Sequence, residues 1–284
     1  MAARPDGATS EGETPKPATN GNWQPRLLHS IILAMLRPLW VSLKQLLLPA
    51  HCAACGAASP ADSRLPLCEA CGLKLAELME VPHCPLCGRN AGPYTSKPDG
   101  CLFCRNYPVK FDAAVRVGPY EEPLRSLILR CKRDRRLEMI PFLGRLLAER
   151  LVLAAWVDRV DVIVPVPLHW SRRMSRGFNQ SQLLARRLCR AAGRRVAMER
   201  LRRTRPTPHQ MFLPSGQRRS NVRGAFATGW WGADFRDKGV LVVDDVMTSG
   251  TTIGECVRVV QDAGACEVFV AVVATADYDE PGPW

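Results

Sequence analysis

Val240-Leu-Val-Val-Asp244-Asp245-Val-Met-Thr248-Ser249-Gly250-Thr251-Thr252 decides how this chain of 284 residues is read. Four apolar residues predict a buried strand, and two acids stand at its carboxyl end. A short Gly/Ser/Thr turn follows, and Thr252 to Ala263 carries the apolar spacing of a helix. The carboxyl edge of a parallel sheet is where open α/β folds hold their ligands. The turn offers backbone N–H groups and hydroxyls at a helix N-terminus, a setting that favours a doubly charged phosphate. Adjacent carboxylates repel one another, so Asp244 and Asp245 make sense beside hydroxyl donors or a divalent cation. The plainer alternative is an acidic strand end before an ordinary capped helix.

Working outward, Gly239 to Val243 and Glu267 to Ala274 read as buried strands, and Val160 to Leu168 as a short β-branched run ending in Pro165 and Pro167. Phe111 to Gly118 partly alternates apolar and polar residues, the pattern of a half-buried strand. Leu124 to Val157 has helical spacing divided by the cationic run Arg130 to Arg136, and Ser181 to Ala192 is helical. Arg202 to Arg223 is basic and proline-bearing and reads as a long loop. Strands alternating with helices predict an α/β fold with a mostly parallel sheet and helices on both faces.

The composition is that of a globular chain: 46% hydrophobic and 23% charged residues exclude wholesale disorder. Thirty-nine basic against 27 acidic residues give a net charge of +12, which favours anionic partners without choosing among phosphorylated metabolites, nucleic acid and acidic membrane.

Eight of the 12 cysteines form four C-x-x-C pairs: Cys52 and Cys55, Cys68 and Cys71, Cys84 and Cys87, Cys101 and Cys104. Two thiolates three positions apart reach one ion from a tight turn, and a structural zinc takes four ligands. Two four-cysteine zinc sites are therefore expected, the first pair sharing an ion with the second and the third with the fourth. The alternatives are an interleaved sharing, or a single zinc site with redox-active thiols. His51 and His83 each precede a cysteine and are expected near the sites rather than in them. Acids and bases balance between 51 and 107, which weakens the case for DNA binding by this segment alone. Cys131, Cys189, Cys256 and Cys266 lack ligand spacing and are expected as buried small hydrophobes.

Residues 1–25 are rich in Gly, Pro, Thr, Ala and Asn and read as a disordered tail. Residues 26–48 read as an amphipathic apolar helix, broken near Pro38. His29, Arg37 and Lys44 interrupt it too often for a membrane span, and no cleavage pattern marks a signal peptide. Packing on the body of the protein and peripheral attachment to a membrane are both open readings of it.

The Val240–Thr252 stretch closely resembles the phosphoribosyl-pyrophosphate (PRPP) motif of type I phosphoribosyltransferases. Val164-Pro-Val-Pro-Leu168, Arg176-Gly-Phe-Asn-Gln180, Gln210 and Arg219-Ser-Asn-Val-Arg-Gly-Ala-Phe226, behind a cysteine-rich ribbon, resemble the ComF family over residues 49–276. The resemblance implies a double zinc ribbon at 49–108 and a phosphoribosyltransferase-like domain at 109–278. It implies that Asp244 and Asp245 hold the ribose hydroxyls and act as the catalytic pair. Thr248, Ser249, Gly250, Thr251 and Thr252 would hold the 5′-phosphate, with Mg²⁺ accompanying PRPP. Lys132 resembles the family's helix-end lysine, set here in an unusually basic run.

Pyrophosphate needs cations, and the bend after Pro167 carries His169, Arg172, Arg173 and Arg176 at the end of a neighbouring strand. Arg172, Arg173 and Arg176 are the expected pyrophosphate ligands, with Asn179 and Gln180 as further donors to phosphate oxygens. The 202–223 loop is expected as a cover over the site or a track for a DNA backbone. Trp230 and Trp231 are expected to pack rather than to stack on bases. The family also implies a cytoplasmic place, at the inner membrane if residues 26–48 attach there, and a link to DNA uptake in competence. The reading is a phosphoribosyltransferase acting on a nitrogen acceptor. Its rival is a non-catalytic module that handles single-stranded DNA or senses PRPP.

Overall fold

Val240 and Val242 point to one side of a strand and Leu241 and Val243 to the other, and all four are fully buried. Such a strand needs cover on both faces, and the fold supplies it. The computed structural model describes residues 51–59, 66–92, 96–97, 100–106, 108–133, 137–193, 195–196, 201–206, 221–229 and 234–276. Every described residue belongs to one compact unit, Ala50–Trp284. The expected tail at 1–25, the helix at 26–48, residues 207–220 of the basic loop, and Trp230 and Trp231 lie outside the described residues.

In chain order the elements are α1 (Glu69–Glu80), β1 (Ser96–Lys97), β2 (Gly100–Cys101), α2 (Leu102–Asn106), β3 (Ala113–Pro119), α3 (Leu124–Arg133) and α4 (Met139–Val152). Then come β4 (Val162–Pro165), α5 (Trp170–Arg176), α6 (Gln180–Ala192), β5 (Arg195–Val196), β6 (Leu201–Arg203), β7 (Phe226–Thr228), β8 (Gly239–Met247), α7 (Thr251–Asp262) and β9 (Glu267–Thr275). Five strands form one sheet in the order β3-β9-β8-β4-β5. Every pairing in it is parallel. Two small antiparallel ribbons, β1–β2 and β6–β7, stand beside it.

Two apolar clusters occupy the two faces. Leu241, Val243, Phe269, Ala271 and Val273 pack with Leu143 and Leu147 of α4 and Leu184 and Leu188 of α6. Val240, Val242, Val268, Val270 and Val272 pack with Ile253, Val257 and Val260 of α7. The alternation along β8 and β9 thus assigns each residue to one core or the other.

The cysteine segment extends both cores. Cys52, Ala53, Leu75 and Leu78 join the α4 face, and Cys84, Cys87, Cys101 and Cys104 join the α7 face. This cover changes the reading of β3. The strand expected to be half-buried is buried along nearly its whole length, because Arg116, its polar residue, is itself buried. The Arg116 guanidinium donates to Thr275 Oγ1, to Asn90 Oδ1 and to the Val81 carbonyl. Among the described residues, no helix is long and apolar enough to cross a membrane.

Candidate functional site

The acid pair sits at the carboxyl end of β8, two strands in from either edge of the sheet. Asp244 Oδ1 accepts from Ser181 Oγ at 2.7 Å and from the Asp245 backbone N–H at 2.9 Å. Asp245 Oδ1 meets Lys132 Nζ at 2.9 Å. Burial, then the neighbouring Asp245 charge, pushes the Asp244 carboxyl up to about 7, against the hydrogen bond from Ser181. Burial works against the Lys132 ammonium, but the Asp245 carboxylate, backed by Asp244, outweighs it and raises that group. A carboxyl that ionises near neutrality, beside a fixed ammonium, suits a ligand that brings hydroxyls or a cation.

Ser181 carries no signal of its own in the sequence, and its position follows from a cap. Asn179 is the N-cap of α6: its Oδ1 accepts from the Ser181 N–H at 3.1 Å and its Nδ2 donates to the Val166 carbonyl at 3.0 Å. Asn179 and Gln180 are both buried, and the Asn179 amide serves the fold in this way. The Val166 N–H in turn donates to the Val243 carbonyl at 2.9 Å, directly before the acids. The carboxyl ends of β4 and β8 are thereby tied together.

The turn behind the acids is built on Gly250, which has φ +79° and caps α7 from the left-handed region where a side chain is strained. Ser249 and Thr251 are buried, with their hydroxyls 3.1 Å apart, while Thr248 and Thr252 remain partly exposed. The buried hydroxyls brace the turn, and the outer two, Thr248 and Thr252, are its partly exposed ones.

α5 carries Arg172, Arg173 and Arg176 immediately after β4. Arg173 is exposed and lines a cavity of 270 Å³ together with Trp170, Gln182, Arg202 and Arg203. Arg202 and Arg203, expected within a loop, instead lie in β6 and pair with β7. His169 does not join the cations. It is buried and caps α5, its Nδ1 accepting from the Ser171 N–H at 3.3 Å. A larger hollow of 800 Å³ opens beside Phe142, Arg145, Arg187 and Arg190, and none of the acid-pair or turn residues lines it.

The eight paired cysteines gather into two groups, Cys52, Cys55, Cys68 and Cys71, and Cys84, Cys87, Cys101 and Cys104. This is the sequential grouping. Sulfurs 2.3 Å from one zinc in a tetrahedron lie about 3.8 Å from each other. The observed separations are 3.7 Å for Cys55–Cys68, 3.8 Å for Cys84–Cys104, 3.7 Å for Cys87–Cys101 and 3.8 Å for Cys101–Cys104. Within the second group the neighbouring thiols pull Cys84 down while pushing Cys87 up and Cys104 up to about 12. Four sulfurs this close ionise together only around a cation, so the donor sets fit zinc. His51 and His83 belong to neither group. Of the other cysteines, Cys131 and Cys256 are buried as expected, Cys189 is partly exposed and Cys266 is exposed. Cys266 departs from expectation because it lies outside β9, in the turn that leads into it.

The model of the phosphoribosyl transferase domain family matches residues 214–282. DNA utilization protein YhgH of Escherichia coli is 34% identical over 181 residues, which span 63% of this chain and 78% of that protein. Competence protein F of Haemophilus influenzae is 31% identical over 183 residues, spanning 62% of this chain and 78% of that one. Among solved structures, adenine phosphoribosyltransferase from Leishmania tarentolae is 14% identical with a TM-score of 0.33, over 61% of this chain and 85% of that chain. Glutamine PRPP amidotransferase from B. subtilis is 24% identical with a TM-score of 0.30, over 46% of this chain and 25% of that chain.

Proposed function

The chain belongs to the family of competence protein F and the YhgH proteins, and on that premise we propose that it binds PRPP and transfers the phosphoribosyl group to a nitrogen acceptor. The observation that carries the reading is the acid pair at the end of β8, engaged by Lys132 and Ser181 and followed by the Gly250 turn. Asp244 and Asp245 accept the ribose hydroxyls. Thr248 to Thr252 hold the 5′-phosphate through backbone N–H groups and the Thr248 and Thr252 hydroxyls. Arg172, Arg173 and Arg176 follow β4 at the same sheet edge and supply the cations for the leaving pyrophosphate. Mg²⁺ prefers carboxylate and phosphate oxygens, so Asp244 and Asp245 fit an ion that arrives with the substrate and neutralises pyrophosphate.

In the transfer the acceptor nitrogen forms a bond to the anomeric carbon as the bond to pyrophosphate breaks. The electron pair leaves on pyrophosphate, and the acceptor's proton passes to solvent. The chain's contribution is positioning and charge stabilisation. Ionised, Asp244 accepts hydroxyls on both oxygens and attracts a cation, so affinity for PRPP rises with pH through about 7. Calorimetry tests the site: Asp244→Ala with Asp245→Ala abolishes PRPP binding, and undiminished binding refutes the assignment. Pyrophosphate release from PRPP, with a panel of bases, ammonia and single-stranded DNA, with and without Mg²⁺, tests turnover. PRPP binding with no acceptor consumed points to a sensor.

A second reading, single-stranded DNA handling in competence, is supported by the names of the relatives and the net charge of +12. It predicts an affinity for single-stranded DNA that falls steeply with salt; no binding at low salt removes it. A cytoplasmic place, with residues 26–48 as a contact for membrane or competence machinery, belongs to this reading. Deleting those residues and measuring vesicle and DNA binding tests it.

A further inference from the structure

Beyond Cys87 the second cysteine turn runs into the phosphate turn. Arg89 is 6% exposed, and its Nη2 donates to the backbone carbonyl of Thr248 at 3.1 Å. The guanidinium lies 4.0 Å from the centroid of the Phe103 ring, which stands between the ligands Cys101 and Cys104. Behind it the cysteine turn is locked. The Cys84 N–H donates to the Arg89 carbonyl at 2.9 Å and the Gly88 N–H to the Cys84 carbonyl at 2.8 Å. Thr275 Oγ1 donates to the Gly88 carbonyl at 3.0 Å. A Cβ added at Gly88 would stand 3.6 Å from Met247 Cε, one residue before Thr248.

We infer that Arg89 is a positioning residue for the phosphate turn, and that through it the second cysteine cluster sets how tightly the turn holds a sugar 5′-phosphate. The inference deepens the PRPP reading and rests on it. The peptide between Thr248 and Ser249 is trans. Its N–H therefore points away from the carbonyl that Arg89 holds, on the side opposite the guanidinium. A turn that grips an anion needs its N–H groups, and not its carbonyl oxygens, facing that anion. Rotation of this plane changes ψ of Thr248 and φ of Ser249; the Ser249–Thr251 hydroxyl pair braces the side chains, and the bond from Arg89 acts on the plane itself. A fixed, charged donor on the Thr248 oxygen keeps the plane from flipping before substrate arrives.

The test uses the full chain, with metal content measured for each variant. Arg89→Ala weakens binding of ribose 5-phosphate about tenfold, the effect of one charge-assisted hydrogen bond. It also speeds amide exchange at Ser249 and Gly250 without ligand, while both cysteine groups stay loaded. Arg89→Lys restores a charge and one donor, and recovers part of both losses. Phe103→Leu removes the ring beneath the guanidinium without touching turn or ligands, and loosens the turn in the same direction by about threefold. Unchanged exchange and unchanged ribose 5-phosphate affinity in Arg89→Ala overturn the inference. If that variant does not fold, unchanged exchange in both Arg89→Lys and Phe103→Leu overturns it. PRPP binding that survives Asp244→Ala with Asp245→Ala refutes the substrate assignment instead, whereas turn exchange reports on Arg89 whatever the ligand.

Discussion

The two cysteine groups share a ligand spacing and differ in everything around it. In the first, Cys55 is exposed and Cys68 and Cys71 are partly exposed; in the second, all four cysteines are buried. The first is joined to the body through α1, where Arg150 donates to the Met79 carbonyl. The second is wedged beside the carboxyl ends of β8 and β9, through Gly88, Arg89 and Thr275. A ligand set specifies an ion; the residues just after it specify what the ion braces. A methyl group added at Gly56 would meet nothing within 4 Å, whereas one at Gly88 would sit against Thr275, Ala114 and Met247.

The hardest blow to this contrast is to remove one ligand from each group. Cys87→Ser is expected to lower the melting temperature by about 10 °C or more, because metal binding is folding energy in so small a core. It also weakens ribose 5-phosphate binding about tenfold. Cys55→Ser lowers the melting temperature less and leaves that binding in place. Equal effects on binding break the contrast.

Metal removal sharpens it. A chelator is expected to take the exposed site's ion first, with no change in ribose 5-phosphate affinity. Departure of the second ion then weakens affinity about tenfold, as loss of the Arg89 bond would. Metal content and calorimetry on the same samples check the order, and an affinity that falls with the first ion reverses it.

Charge at the turn offers a third probe, independent of either metal. An ordinary aspartate ionises near pH 4, but folded Asp244 holds its proton to about 7. Between those values the unfolded chain has released the proton and the folded chain has not, so rising pH destabilises the fold across that window. Asp244→Asn is therefore expected to melt roughly 3–6 °C higher than the parent at pH 8 and at the same temperature near pH 4. The reverse order of those differences contradicts the buried acid.

The smallest effect comes from the two turn glycines. Both have positive φ, +80° at Gly56 and +72° at Gly88. Alanine at either is expected to cost about 1–2 kcal/mol of stability, measured by denaturant melts. Only Gly88→Ala should also weaken ribose 5-phosphate binding, because only there does strain at a positive φ fall in the turn that leads to Arg89 and its bond to the Thr248 carbonyl.

Much of this is legible in the chain because it is local. The β8 strand, acid pair, turn and α7 are contiguous, and apolar periodicity and glycine place them without tertiary information. The cysteine pairs are equally local, but near-equal spacers leave open which pairs share an ion, and the fold supplies the sequential grouping. What escapes lies across long separations. Ser181 reaches Asp244 only because Asn179 caps α6 at the right sheet edge, and no spacing rule signals that. Lys132 stands out within a basic run, but its ion pair with Asp245 depends on where α3 ends. Arg116 misleads outright: a charged residue in a strand reads as solvent-facing, and here the cysteine segment covers it with Asn90 and Val81. Arg202 and Arg203 mislead for a similar reason, since a three-residue basic strand has no period to detect.

That covered arginine has a consequence for anyone cutting the gene. A fragment begun at Val109 would keep Arg116 on β3 while discarding its acceptors Asn90 and Val81 together with the cover they belong to, opening that cation and its apolar neighbours to water. It would also lay bare the flank of β3, inviting strand-to-strand aggregation. The cysteine-rich portion is thus no detachable accessory: inheritance, expression and recombination must carry both stretches together.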